Sequence, residues 1–189
     1  MCHDVLQDPT FFRYLTKIDR EFAAVTRADR CGECAGPLHV ADYPRKPRGC
    51  PASVCEEYSR RFSFTCGWCD ARATSQSVRF AGRRMYVAVM LMLASPPSSM
   101  SGQRLSELLG VPGSTVQRWR TWWRRKLPTT TFWKSATTRF MPPLVNDDLP
   151  LSMIERFDGS EPIDRLVQAL RFVAPLSTRW RSGNPTLAA

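Results

Sequence analysis

FTCGWCD, residues 64–70, sets two cysteines either side of a Gly-Trp pair, and the reading of that pair decides what kind of fold surrounds it. A redox dithiol of this spacing sits between a strand and a helix, whose N-terminus lowers the thiol pKa, and it needs no second copy. Here the pair is followed by Asp70 and a strand-like segment, and a second unit, Cys31-Gly-Glu-Cys34, precedes it by 31 residues. Two such units approaching from two hairpins offer four thiolates in a tetrahedron, the closed coordination that a structural Zn²⁺ takes. Cys31, Cys34, Cys66 and Cys69 are therefore the expected zinc ligands, with dithiol exchange through Cys66 and Cys69 as the alternative. With every position filled by protein, a site of this kind folds a small polar segment and does no catalysis. Arg60, Arg61 and Arg72 stand close in sequence to temper its charge.

Working outward, residues 31 to about 80 read as short β-like pieces, LHVADY, RRFSFTC and TSQSVRF, without helical period. The gap between the cysteine units exceeds the 15–20 residues of compact ribbons, so YPRKPRGCPASVC is an insertion: a basic, proline-punctuated loop. Its Cys50-x₄-Cys55 pair and the nearby His39 form too weak a pattern to assign. Upstream, Asp8 and Pro9 supply an N-cap and a first helical residue. Phe11, Leu15, Ile18 and Phe22 then recur at helical spacing to about Thr26, with Arg13, Lys17, Arg20 and Glu21 mostly elsewhere around the wheel.

The cysteine count is odd, at seven, and the start of the chain lacks the pattern of a secretory leader, which points to a reducing cytoplasm. The longest apolar run, Met85–Ala94, falls well short of the roughly 20 residues a membrane span requires and reads as a buried core helix. Net charge is +10, and residues 79–140 carry all of the excess, with eleven Lys and Arg against one Glu. A localised excess of this kind marks a phosphate-backbone binder better than a uniformly basic chain does.

Within that basic segment lies GQRLSELLGVPGSTVQRWRTW, residues 102–122. A helix-turn-helix needs apolar inner faces, a small residue at the crossing and a turn residue tolerant of unusual backbone angles. With Gly110 as the turn, Leu105, Leu109, Val111, Val116 and Trp119 fall inward and Ser106 takes the crossing. Ser114 to Gln117 reads as a capping box opening the second helix. Val116, Trp119 and Trp123 then face in, while Ser114, Gln117, Arg118, Thr121 and Arg125 face out. These are residue types that read base edges or grip phosphates. Arg120, Arg124 and Lys126 flank the inner stripe as phosphate contacts, and Trp122 lies at its edge. Arg45, Lys46 and Arg48 of the basic loop offer a second contact, as an arm in a minor groove. Beyond, residues 127–150 look irregular or partly helical. LSMIERF and EPIDRLVQALRFVAPL close the chain, the latter with Ile163, Leu166, Val167, Leu170 and Val173 on one stripe.

The order of Cys31, Cys34, Cys66 and Cys69, a strand ending SVRF, a short helix and then LSELLGVPGSTVQRW resembles the DNA-binding front end of bacterial insertion-sequence transposases. It also resembles the small zinc-ribbon/helix-turn-helix proteins encoded beside them. The resemblance covers about residues 31–126 and implies binding to element DNA. One departure stands out: RNase H-like transposases bring three carboxylates together around two Mg²⁺. After Glu107 every acidic residue here falls between Asp147 and Asp164, which leaves no room for that catalytic fold. Nor is there a His-x-His pair, and the chain has only two histidines.

The sequence thus predicts a mainly α protein with a small β zinc ribbon. Its parts are an N-terminal helix (1–30), the ribbon with its loop insertion (31–82), a helix-turn-helix (83–127), and a linker with C-terminal helices (128–189). The expected function is non-catalytic recognition of double-stranded DNA in transposition or transcriptional regulation, with Zn²⁺ as cofactor. A transposase or recombinase is the expected protein partner, homodimerisation is open, no membrane is involved, and the location is cytoplasmic at the nucleoid. A protein–protein adaptor is the third reading.

Overall fold

The computed structural model describes residues 5, 7–46, 49–81, 85–86, 107 and 110–178. Among them helix predominates over strand. Helix α1, Pro9–Ala28, starts as its sequence dictates: Asp8 Oδ1 accepts the Thr10 N–H at 2.8 Å, and Pro9 occupies the first turn. Phe11, Phe12, Leu15 and Ile18 are buried on one stripe, each such side chain contributing about 1.5–3 kcal/mol. Asp19 lies on the same stripe and is also fully buried.

Strands β1 (Leu38–Val40), β4 (Ser63–Cys66) and β5 (Arg72–Thr74) form a three-stranded antiparallel sheet in the order β1-β4-β5. Leu38 stands opposite Cys66, and His39, Thr65 and Arg72 make a cross-strand row. The described residues between β1 and β4 carry further regular structure. Strand β2 (Tyr43–Pro44) pairs with β3 (Arg60–Arg61), and a 3₁₀ turn at Ala52–Val54 leads into α2, Cys55–Tyr58. TSQSVRF is not one strand: pairing ends at Thr74, and residues 75–79 bend so that their polar groups meet Asp19.

A second correction falls on the apolar run. Met85–Tyr86 is strand β7, paired with β6, Phe80–Ala81, so the helix expected over 85–94 does not begin at Met85; residues 87–94 lie outside the described residues. Apolar and aromatic residues suit a strand as well as a helix, and a short run cannot tell the two apart.

Helix α3, Gly113–Thr121, continues through a π turn at Trp122–Lys126 and a 3₁₀ turn at Leu127–Thr129. Helices α4 (Thr131–Ala136), α5 (Leu151–Ile154) and α6 (Pro162–Val173) follow among the described residues. A reciprocal cap between Glu161 and Asp164 opens α6, and Leu166, Val167, Leu170 and Val173 are buried as their spacing predicts, with Ile163 partly so.

One apolar core joins α1, Val54, Tyr58, Val78, Phe80, Val111, α3, Trp133, Met153 and α6. A smaller cluster of Ala23, Cys31, Leu38, Phe64 and Cys66 lies under the three-stranded sheet.

Candidate metal centre and basic helix

The two cysteine units fold alike. In each, the fifth residue takes a left-handed backbone, Ala35 at φ 57° and Asp70 at φ 56°. The chain closes by Ala35 N–H to Cys31 O (2.8 Å) in one and Asp70 N–H to Cys66 O (3.2 Å) in the other. The second residue after each first cysteine turns its N–H onto the sulfur, Glu33 to Cys31 Sγ and Trp68 to Cys66 Sγ, both at 3.4 Å. Such N–H···S contacts stabilise thiolate charge. The Trp68 N–H is the main reason that the Cys66 thiol is lowered to about 6. Cys34, which shares protons foremost with Cys69, is raised to about 12.

The four sulfurs converge. Cys34 Sγ stands 3.3 Å from Cys69 Sγ and 3.4 Å from Cys66 Sγ, Cys31 Sγ stands 3.7 Å from Cys69 Sγ, and all lie within 4.8 Å of one another. Four sulfurs about 2.3 Å from a central ion would stand roughly 3.8 Å apart in a regular tetrahedron, so the cluster is positioned to hold a metal ion. Cys31 and Cys66 are buried and Cys69 is exposed, which gives an ion an entry side. Cys50 and Cys55 stand outside this cluster. The Cys50 thiol is pushed up to about 12, by burial and then by its hydrogen bond with Cys55.

Gly36 makes the convergence possible. A Cβ there would lie 2.8 Å from Cys66 Sγ and 2.9 Å from the Trp68 ring. Gly36→Ala is therefore expected to displace a ligand and weaken metal affinity about 10–100-fold, the range for changes that misplace ligands; competition with a chromogenic chelator measures it. Two of the three arginines expected to offset the thiolates are engaged elsewhere, and the third, Arg60, is exposed. Arg61 is buried and donates to Ser75 O and Gln76 O, and Arg72 donates to Ser63 Oγ and Ala41 O.

Residues 113–121 of the basic segment are helical, with a start that differs from the expected one. Gly110 has φ 58°, a left-handed backbone that favours glycine. Val111, Val116, Trp119 and Trp123 are buried. Ser114, Gln117, Arg118, Thr121, Arg124, Arg125 and Lys126 are exposed, and Arg120 is half-buried. Trp122 packs on the core and meets Trp123 edge to face. The change is at the cap: the helix starts at Gly113 behind Pro112, with no side-chain cap, so Ser114 is not an N-cap and Gln117 has no capping duty. Pro112 itself takes the N-cap position, in an extended conformation with φ −56° and ψ 139°. Glu107 is helical and exposed, while Leu105, Ser106 and Leu109, with the rest of the predicted first helix, fall outside the described residues.

Arg45, at the start of the basic loop, is held in place. The Arg45 guanidinium lies 4.7 Å over the Tyr43 ring and donates to its hydroxyl, Arg72 lies 5.0 Å over the same ring, and Arg45 N–H donates to Ser59 O. Lys46 is exposed, and Arg48 lies outside the described residues. The Arg72 half of this stacking has no signature in the sequence, because Arg72 and Tyr43 are distant in the chain and lie on strands of different sheets.

No helix among the described residues is long and apolar enough to cross a membrane. No protein-family model matches the chain, and no curated protein or solved structure is significantly similar to it.

Proposed function

We propose that this chain is a non-catalytic, zinc-dependent DNA-binding protein in which a zinc ribbon adjoins a helix-turn-helix, and that it serves a mobile element as a recognition or accessory factor. The carrying observation is the split of α3 and its extension: Val116, Trp119 and Trp123 buried, Gln117, Arg118, Thr121, Arg124, Arg125 and Lys126 exposed. Five cations stand between residues 118 and 126 with no acidic residue among them. A helix so divided offers a duplex both phosphate contacts and base-reading groups. The Gly110 turn ahead of it supports a helix-turn-helix, and four thiolates at tetrahedral spacing favour Zn²⁺ over dithiol exchange, since a redox pair has no use for four sulfurs at one point. DNA, with a transposase or recombinase as protein partner, is the ligand set this reading carries.

Arg118→Ala and Arg125→Ala are the test. Selection from a random duplex pool supplies a site, and anisotropy titrations across a salt series supply the affinity. Each phosphate contact removed is expected to lower the slope of log affinity against log salt by about 0.9. Loss of a base contact is expected to cost about 1–3 kcal/mol and relax preference at one position. Binding that neither substitution alters would assign the surface to a protein ligand instead.

A further inference from the structure

We infer that Cys34 and Cys69 form a peroxide-sensitive pair, which an oxidant joins as a disulfide, so that the metal is released and the ribbon opens. The inference rests on the metal-binding part of the reading above and is independent of DNA. Its basis is an asymmetry among the four sulfurs. Cys31 and Cys66 are only 5% and 1% exposed, whereas Cys34 is half-buried and Cys69 is exposed. The first cysteine of each unit packs into the small cluster with Ala23, Leu38 and Phe64, and the second lies in the turn itself. Gly36 closes a further side of Cys66: a Cβ there would lie 2.8 Å from Cys66 Sγ and 2.9 Å from the Trp68 ring. An oxidant in solution therefore meets Cys69 first.

A metal-ligating cysteine is a thiolate, and the thiolate is the nucleophile of cysteine oxidation. Cys69 Sγ attacks one oxygen of hydrogen peroxide; the O–O bond breaks, the departing hydroxide takes a proton from solvent, and Cys69 becomes a sulfenic acid. Cys34 Sγ stands 3.3 Å from Cys69 Sγ, nearer than Cys31 Sγ at 3.7 Å. Its thiolate attacks the sulfenic sulfur, the S–S bond forms as the S–O bond breaks, and the second hydroxide leaves and is protonated. Two thiolates have then given two electrons to one hydrogen peroxide, and two waters result. Cys66 Sγ is 3.4 Å from Cys34 Sγ, but its burial denies it the first step. With two of the four ligands spent, the closed tetrahedral site is gone, and the sheet is left on Ala23, Leu38 and Phe64. A thiol reductant reverses the bridge, and the site is free to bind metal again.

The experiment uses the full chain, loaded with Zn²⁺ under reducing conditions, freed of reductant and exposed to hydrogen peroxide while a chromogenic chelator reads released metal. Loss of about one Zn²⁺ per chain is expected, in step with a Cys34–Cys69 bridge found by peptide mass mapping after the free thiols are alkylated. Dithiothreitol and fresh Zn²⁺ are expected to restore both the thiols and the bound metal. Cys69→His keeps a fourth ligand and removes the exposed sulfur, so release is expected to slow more than about tenfold. Should that variant take up no Zn²⁺, the bridge map of the wild type decides alone. A wild type that takes up no Zn²⁺ overturns the metal reading together with this one. A loaded chain that keeps its metal while added glutathione is oxidised overturns this one only. So does a first bridge that includes Cys31 or Cys66, or that joins Cys50 to Cys55.

Discussion

Chelation of the metal, or Cys66→Ser, is expected to unfold residues 31–74 while leaving the helical core in place. The reason is the small size of the cluster beneath the three-stranded sheet. Its buried members are Ala23, Cys31, Leu38, Phe64 and Cys66, and two of those five are themselves candidate ligands. Leu38 and Phe64 bring about 1.5–3 kcal/mol each, while structural zinc sites supply about 10–16 kcal/mol of apparent binding energy at neutral pH. A bound metal thus stabilises that part of the molecule more than its apolar contacts do. The larger core, from Phe11 to Ala174, contains none of the four cysteines. Hydrogen exchange with and without chelator measures this residue by residue. Amides of β1, β4 and β5 are expected to lose protection with loss of about one metal ion per chain, and those of α6 to keep it. Equal protection of β4 after the metal has left would show that the sulfurs merely pack.

What is legible in the sequence is whatever local chemistry specifies. Two C-x-x-C units carry their own turn geometry, so spacing alone singles out Cys31, Cys34, Cys66 and Cys69, and the structure brings their sulfurs within 4.8 Å of one another. Asp8-Pro9, the α1 stripe, the α6 stripe and the buried face of α3 follow from capping and a 3.6-residue period in the same way. The failures share a cause as well. Pro44 is paired because Arg60 lies opposite it, Met85–Tyr86 because Phe80–Ala81 does, and neither pairing leaves a mark in its own few residues. Ser114 carries a capping signal, but the helix starts one residue earlier, at Gly113, with Pro112 at the N-cap. Charge misleads at two positions: Arg61 and Arg79, which read as cations of a site or a binding surface, are wholly buried.

Asp19→Ala is expected to destabilise the protein by about 3–5 kcal/mol, the cost of breaking one partner from a buried ion pair, and so to remove a third or more of a typical domain's stability. Asp19 Oδ2 accepts from Arg79 Nε at 2.7 Å, with both side chains fully buried. The same carboxylate accepts the Ser77 hydroxyl and, at 2.7 Å, the Val78 N–H. Arg79 in turn donates at 2.8 Å to Tyr58 O and at 2.8 Å to Arg60 O, and lies 5.0 Å over the rings of Phe62 and Phe80. Removing the carboxylate leaves a guanidinium, a hydroxyl and an amide without their acceptor in the place where α1, α2 and the chain after β5 meet. Urea denaturation of Asp19→Ala, Arg79→Met and the double variant gives the coupling. The double variant is expected to recover part of the loss, because the stranded charge is gone, but not all of it, because Ser77 and Val78 still lack an acceptor. The exposed pairs Arg20–Glu57 and Arg171–Glu21 serve as the internal contrast. Each is worth at most about 1 kcal/mol and fades with salt, whereas the buried pair is shielded from screening ions. An Asp19→Ala loss below about 1 kcal/mol, or one that vanished at high salt, would show that the helix and the sheet are joined by apolar packing alone.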